Sequence, residues 1–177
     1  PIPNSVKEIE DNAFESCKSL ASITIPSSVT EIGSGAFYNC TGLKSITIPS
    51  SIKKIEYNTF NGCTSLTNVT ISNGIKVIAE QAFMGCSSLK SVTIPESVKT
   101  IDSYAFASCK GLTSIAIPYG VTSINHDAFA ECTSLTSATI PESITEISSA
   151  LFANCSSFLG ISVFNSNYNG KFYPGTL

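Results

Sequence analysis

Tryptophan is absent from this 177-residue chain, histidine occurs once, and charged side chains make up only 13% of the residues. Each scarcity excludes something. Without tryptophan the chain lacks one of the residue types that dominate the energetic centres of interfaces. A single histidine, His126, leaves little material for acid–base or metal chemistry. A net charge of −3 carries no basic excess, so no nucleic-acid partner is expected. No run approaches the roughly 18 apolar residues that a bilayer-spanning helix needs, so no membrane insertion is expected. No charged-then-apolar leader is present. Pro1-Ile2-Pro3 reads instead as the tail of an earlier repeat, which implies a longer array.

Low charge does not here mean disorder, because 42% of the residues are apolar. They are spaced with great regularity. Cysteine falls at Cys17, Cys40, Cys63, Cys86, Cys109, Cys132 and Cys155, always 23 residues apart. Phenylalanine keeps the same interval three residues earlier, from Phe14 through Phe152. Leucine follows each cysteine by three, from Leu20 to Leu135, with Phe158 in the last slot. Two further columns of Ile and Val complete the unit x-x-V-x-x-I-x-x-x-A-F-x-x-C-x-x-L-x-x-I-x-I-P. An internal period of this length is the signature of a solenoid. The repeats run over 4–26, 27–49, 50–72, 73–95, 96–118, 119–141 and 142–164, so that 1–164 forms one solenoid domain.

The unit divides physically. L-x-x-I-x-I ends in period-2 alternation, the mark of a half-buried strand. Proline then stops the ladder, because it has no N–H to donate. V-x-x-I is a short extended return. In A-F-x-x-C the Phe and Cys are three apart, so one helical turn would face both inward. Asn12, Asn58 and Asp127 stand where they would cap such a turn. The expected fold is therefore an α/β solenoid: a right-handed coil with a parallel concave β-sheet and short helical turns on the convex side. Asn165 to Leu177 loses the register and reads as a partial C-terminal cap.

Over residues 4 to 164 the pattern I-P-x-x-V-x-x-I-x-x-x-A-F-x-x-C-x-x-L-x-x-I closely resembles the BspA-like leucine-rich repeats, also called the Treponema pallidum type. The resemblance implies a cell-surface or secreted protein. It further implies a non-catalytic protein-binding module, an adhesin for host matrix, surface glycoprotein or microbial surface proteins. It carries over no catalytic residue and no cofactor. The alternative is a structural spacer array that displays other domains.

The cysteines read as packing. Equivalent Cβ atoms on stacked rungs lie about 5 Å apart, whereas a disulfide needs about 3.8 Å. Ligand binding is expected on the residues that alternate with the buried ones along each strand. One column is Ser22, Ser45, Asn68, Ser91, Ser114 and Ser137; the next is Thr24, Thr47, Thr70, Thr93 and Thr139, with Ala116 interrupting it. Tyr57, Tyr104 and Tyr119 fall at variable, exposed positions. Lys7, Lys53, Lys54, Lys76 and Lys99, with Glu8, Glu31 and Glu56, read as a solvated edge of mixed charge. His126 and Cys132 share a rung, but Cys132 is one of seven equivalent cysteines, so no catalytic dyad is expected. The unshielded N-terminal rung predicts end-to-end self-association.

Overall fold

A computed structural model describes residues 1–164 of the chain; the cap expected over 165–177 lies outside the described residues. The chain winds into a parallel β-solenoid of about seven turns, and each strand partner is the residue 23 positions away.

Two ladders run along the stack. The longer strands are β3 (Ser45–Ile48), β5 (Asn68–Ile71), β8 (Ser114–Ala116), β10 (Ser137–Pro141) and β11 (Gly160–Phe164). β3 pairs with β5, and β8, β10 and β11 form a three-stranded sheet. The returning stretches supply two-residue strands: β1 (Glu8–Ile9), β2 (Glu31–Ile32), β4 (Lys54–Ile55), β6 (Val77–Ile78), β7 (Thr100–Ile101) and β9 (Ser123–Ile124). Of these β4, β6, β7 and β9 form one continuous sheet, and β1 pairs with β2. The alternation read from the sequence appears directly: in β3 and β5 Ser, Thr and Asn are exposed while Ile and Val are buried.

The core is a set of columns. Phe37, Phe60, Phe83, Phe106 and Phe129 are fully buried, as are Leu43, Leu66, Leu89, Leu112 and Leu135. The rings form one continuous stack from Phe14 to Phe152, with centroids 5.1 to 5.8 Å apart and planes within 16° of parallel. In the last rung Phe158 takes the leucine slot and stacks on Phe152 at 4.5 Å. No single rung encloses these side chains, so each depends on its neighbours for burial.

The expected helical turns are not there: no helix occurs among the described residues. The backbone explains why. In an α-helix every interior N–H donates to the residue four back. Here the donors alternate. Ala36, Tyr38 and Cys40 donate to Gly33, Gly35 and Phe37, three residues back, at 3.3, 2.8 and 3.2 Å. Gly35, Phe37 and Asn39 donate instead to Tyr57, Thr59 and Asn61 of the next rung, at 2.8, 2.9 and 2.7 Å. The corner is thus a chain of tight turns whose other half of the N–H groups forms a third ladder.

The alternation needs a left-handed residue two before and two after each phenylalanine. Every turn has both: Asn12 and Ser16, Gly35 and Asn39, Asn58 and Gly62, Gln81 and Gly85, Tyr104 and Ser108, Asp127 and Glu131, Ala150 and Asn154. Asn12, Asn58 and Asp127 are therefore not helix caps. They occupy a φ of 56° to 57° that Asn and Asp tolerate better than other side chains. At Gly35 glycine adopts this φ without strain, and a Cβ there would also have to displace the Asn12 carboxamide.

Gln81, at φ 57°, separates the two geometries. Gln81→Gly should raise the unfolding free energy by about 0.5–1 kcal/mol, through relief of left-handed strain. A helical turn would instead lose about 1 kcal/mol on the same change. Urea denaturation of the two proteins decides the sign.

Candidate functional site

The sequence-selected face exists as a surface. Ser22, Thr24, Ser45, Thr47, Asn68, Thr70, Ser91, Thr93 and Ser114 are exposed, and Ser137 and Thr139 are half-exposed. Ser45 pairs with Asn68 and Thr47 with Thr70 across the β3–β5 ladder, and Ser137 pairs with Ser114 across β10–β8. Ser22 joins Ser45 through a single bridge. The columns thus form rows of hydroxyl and carboxamide groups one strand apart.

The rows are interrupted at the middle rung. Ser91–Ile94 pairs with neither β5 nor β8. Beside it lies a shallow hollow of about 300 Å³, lined by Val92, Thr93, Ala116, Pro118, Tyr119 and Thr139. Ala116 stands there in place of the column's threonine, and Tyr119 is 41% exposed. This is where a large aromatic meets the hydroxyl face. Sequence reasoning placed Tyr119 at a variable, exposed position and missed the broken ladder, because Ser91-Val92-Thr93-Ile94-Pro95 reads like every other strand.

The cysteines do more than fill space. All seven are free thiols, and six of them are buried. Each buried Sγ donates to the carbonyl of the phenylalanine in the preceding rung: Cys40 to Phe14, Cys63 to Phe37, Cys86 to Phe60, Cys109 to Phe83, Cys132 to Phe106 and Cys155 to Phe129, at 3.0 to 3.3 Å. The same carbonyl already accepts the N–H of its own rung's cysteine, as Phe37 does from Cys40. The thiol engages its second lone pair. Serine would lose more on burial and alanine would donate nothing.

Burial pushes Cys40, Cys63, Cys86 and Cys109 up, while the hydrogen bond with Cys132 lowers Cys155. Desolvation raises Cys63 and Cys109 to about 12, and it also raises Cys86. A thiol held neutral so firmly is a poor nucleophile. The conceivable Cys132–His126 pair is not formed. Cys132 Sγ is turned inward to Phe106 O, while exposed His126 contacts Asp127 through Nδ1 at 3.1 Å. His126 also meets the Tyr104 ring edge-on at 5.3 Å. Asp127, by its charge, raises the Tyr104 phenol above its ordinary value. No group of three metal-ligating side chains occurs among the described residues.

With this geometry in place, the relatives can be compared. The BspA type leucine rich repeat region matches in six copies over residues 1–111 and 53–171. The chain belongs to that family. It is similar to a leucine-rich repeat protein of Bacteroides ovatus, with 33% identity and a TM-score of 0.76, covering 81% of this chain and 39% of that one. It is also similar to the T. pallidum leucine rich repeat protein, with 28% identity and a TM-score of 0.77, covering 88% and 70%. A third similar structure is a leucine rich cell surface protein of Faecalibacterium prausnitzii, with 30% identity and a TM-score of 0.70, covering 93% and 53%. The chain spans about two-fifths of the B. ovatus protein. No curated protein matches it.

The thiol column makes two predictions. Under native conditions a charged maleimide should label Cys17 alone, since the other six thiols are buried; in denaturant it should label all seven. Mass spectrometry counts the adducts. Stability should also be pH-dependent. Folded Cys63 and Cys109 keep their protons above the ordinary value of 9.0, so their contribution to stability is intact below pH 9 and falls as pH rises towards 12. The urea midpoint followed over that window should drop less steeply in Cys63→Ala/Cys109→Ala than in the parent.

Proposed function

We propose that this chain is a non-catalytic protein-binding module of a cell-surface or secreted protein, acting as an adhesin towards host or microbial surface proteins. The observation that carries the reading is the row of exposed Ser, Thr and Asn side chains, repeated at strand spacing on one face. Solenoids characteristically bind extended partners on such faces. The F. prausnitzii relative, a cell surface protein by name, supports the location. No helix among the described residues is long and apolar enough to cross a membrane. The hollow beside Tyr119 supplies the aromatic anchor that interface centres favour.

The family and the T. pallidum relative support a module that acts by contact rather than by catalysis. Self-association belongs to the same reading. Ile2, Val6, Phe14, Leu20 and Ile23 are only partly buried and line a hollow of about 900 Å³ at the first rung. Two such ends would shield one another.

Replacing Thr24, Thr47, Thr70 and Thr93 together by Lys tests the face. Capture of matrix glycoproteins and of whole cells should be abolished while the circular dichroism spectrum is unchanged. Undiminished capture by the folded variant would favour a spacer array instead.

A further inference from the structure

The returning stretches carry a feature that the mixed-charge reading of the edge does not accommodate. Lys53, Lys76 and Lys99 occupy the same slot on three successive rungs. Each immediately precedes a strand of the continuous β4–β6–β7–β9 sheet or is followed closely by one. The Lys76 N–H donates to Lys53 O at 2.7 Å and the Lys99 N–H to Lys76 O at 2.8 Å. The three backbones are therefore stacked about 4.8 Å apart, and all three residues are exposed. Like charges directly opposite on neighbouring strands repel and destabilise a sheet.

Among the described residues no neighbouring carboxylate forms an ion pair with the row; Glu96 approaches Lys99, since both contact Gly120. Glu56 is paired with Lys54 at 2.6 Å. Glu96 accepts the Gly120 N–H, and Asp102 accepts from Ser103 N–H and from Asn125 Nδ2. Among the described residues, none of the three row lysines has a carboxylate within 4 Å. Lys53 Nζ donates to Ser50 O and Lys99 Nζ to Gly120 O, backbone groups that carry no net charge. A protein of net charge −3 thus keeps a stack of three lysines with no ion-pair partner among the described residues. The spacing lies inside the Debye length of about 8 Å at physiological ionic strength, so their fields add.

We propose that this row is a second binding surface, whose ligand is an extended anionic polysaccharide with a carboxylate or sulfate on its regular repeat. Charge complementarity carries the assignment. The backbone of the row has a pitch fixed by hydrogen bonds, so the lysines emerge at regular intervals along it. Thr30 continues it before Lys53, Thr122 continues it after Lys99, and Thr100 and Ser123 lie in the next column. Hydroxyls around a short cationic row suit sugar hydroxyls around regularly spaced anions. A nucleic acid fits less well. With a net charge of −3 the chain has no basic excess to meet a continuous phosphate backbone. This surface is separate from the hydroxyl face and does not rest on the protein-binding reading.

Polygalacturonate, with one carboxylate per sugar, is the probe; its fully methyl-esterified form is the uncharged control. Binding is measured by titration calorimetry at low ionic strength. Lys53→Gln/Lys76→Gln/Lys99→Gln should weaken binding of the acid form by about tenfold. Lys18→Gln/Lys44→Gln/Lys110→Gln removes the same charge from other faces and should change it by less than about twofold. The methyl ester should not bind. Equal loss in both triples, no binding by the parent protein, or equally tight binding of a single-stranded oligonucleotide would each overturn the proposal. Lys76→Glu gives an independent readout. It should raise the thermal midpoint by relieving repulsion while it weakens polygalacturonate binding. A lowered midpoint in that variant would also overturn the proposal.

Discussion

The alternation of amide donors at the phenylalanine corner is the constraint from which most of this structure follows. One N–H closes a turn within its own rung and the next reaches the rung above. That pattern requires a left-handed residue on each side of every phenylalanine, and it excludes a helix. It also brings the rungs to a common spacing on a third side, so the rings stack nearly parallel. The length of the unit follows as well. One residue inserted between Phe and Cys would exchange inward-bonding donors for outward-bonding ones and turn the next column out of the core. The spacing of 23 is held in every repeat because hydrogen bonds on three sides of the coil depend on it.

The core columns could be read from the residues alone because burial and period are the same information. A side chain that recurs at one slot in seven rungs must meet its own copies, and Phe37, Phe60 and Phe83 do so. The corner could not be read in the same way. Phe and Cys three apart fit one turn of helix and equally fit two successive tight turns. The distinguishing cue lay in the flanking slots, where Asn12, Gly35, Asn58, Gly62, Gly85 and Asn154 are all types that tolerate positive φ. Gln81, Tyr104, Glu131 and Ala150 occupy the same slots and hide the cue. They are held there by the stack despite a local cost of about 1–2 kcal/mol each.

The cysteines show a second limit of pattern reading. Their inward position follows from period, but their role follows from which acceptor they face. Each thiol reaches a carbonyl 26 residues back, one rung plus the Phe–Cys spacing. That relation emerges only when the register of the stack is known. It also explains how a buried polar group is tolerated at this slot in the six rungs from Cys40 to Cys155. The donor is weak and its loss of hydration small, while the acceptor has one lone pair to spare.

A repeat this tightly constrained leaves few slots in which function can be written. Phe, Cys, Leu and the Ile and Val columns are committed to the core, and the left-handed slots to the backbone. What remains is the hydroxyl face, the variable edge and the returning stretch. A solenoid multiplies whatever such a slot holds. A column of Ser and Thr costs the fold little, so its uniformity alone distinguishes binding from filler poorly. A column of lysines is different, because stacking like charges at strand spacing works against the sheet that carries them. The hydroxyl of Thr122 is accepted at the same slot one rung on, where it donates to Lys99 O. The fold therefore does not require an ammonium there. A destabilising feature that the backbone does not need, held over three rungs in a chain otherwise sparing of charge, calls for a cause outside the fold.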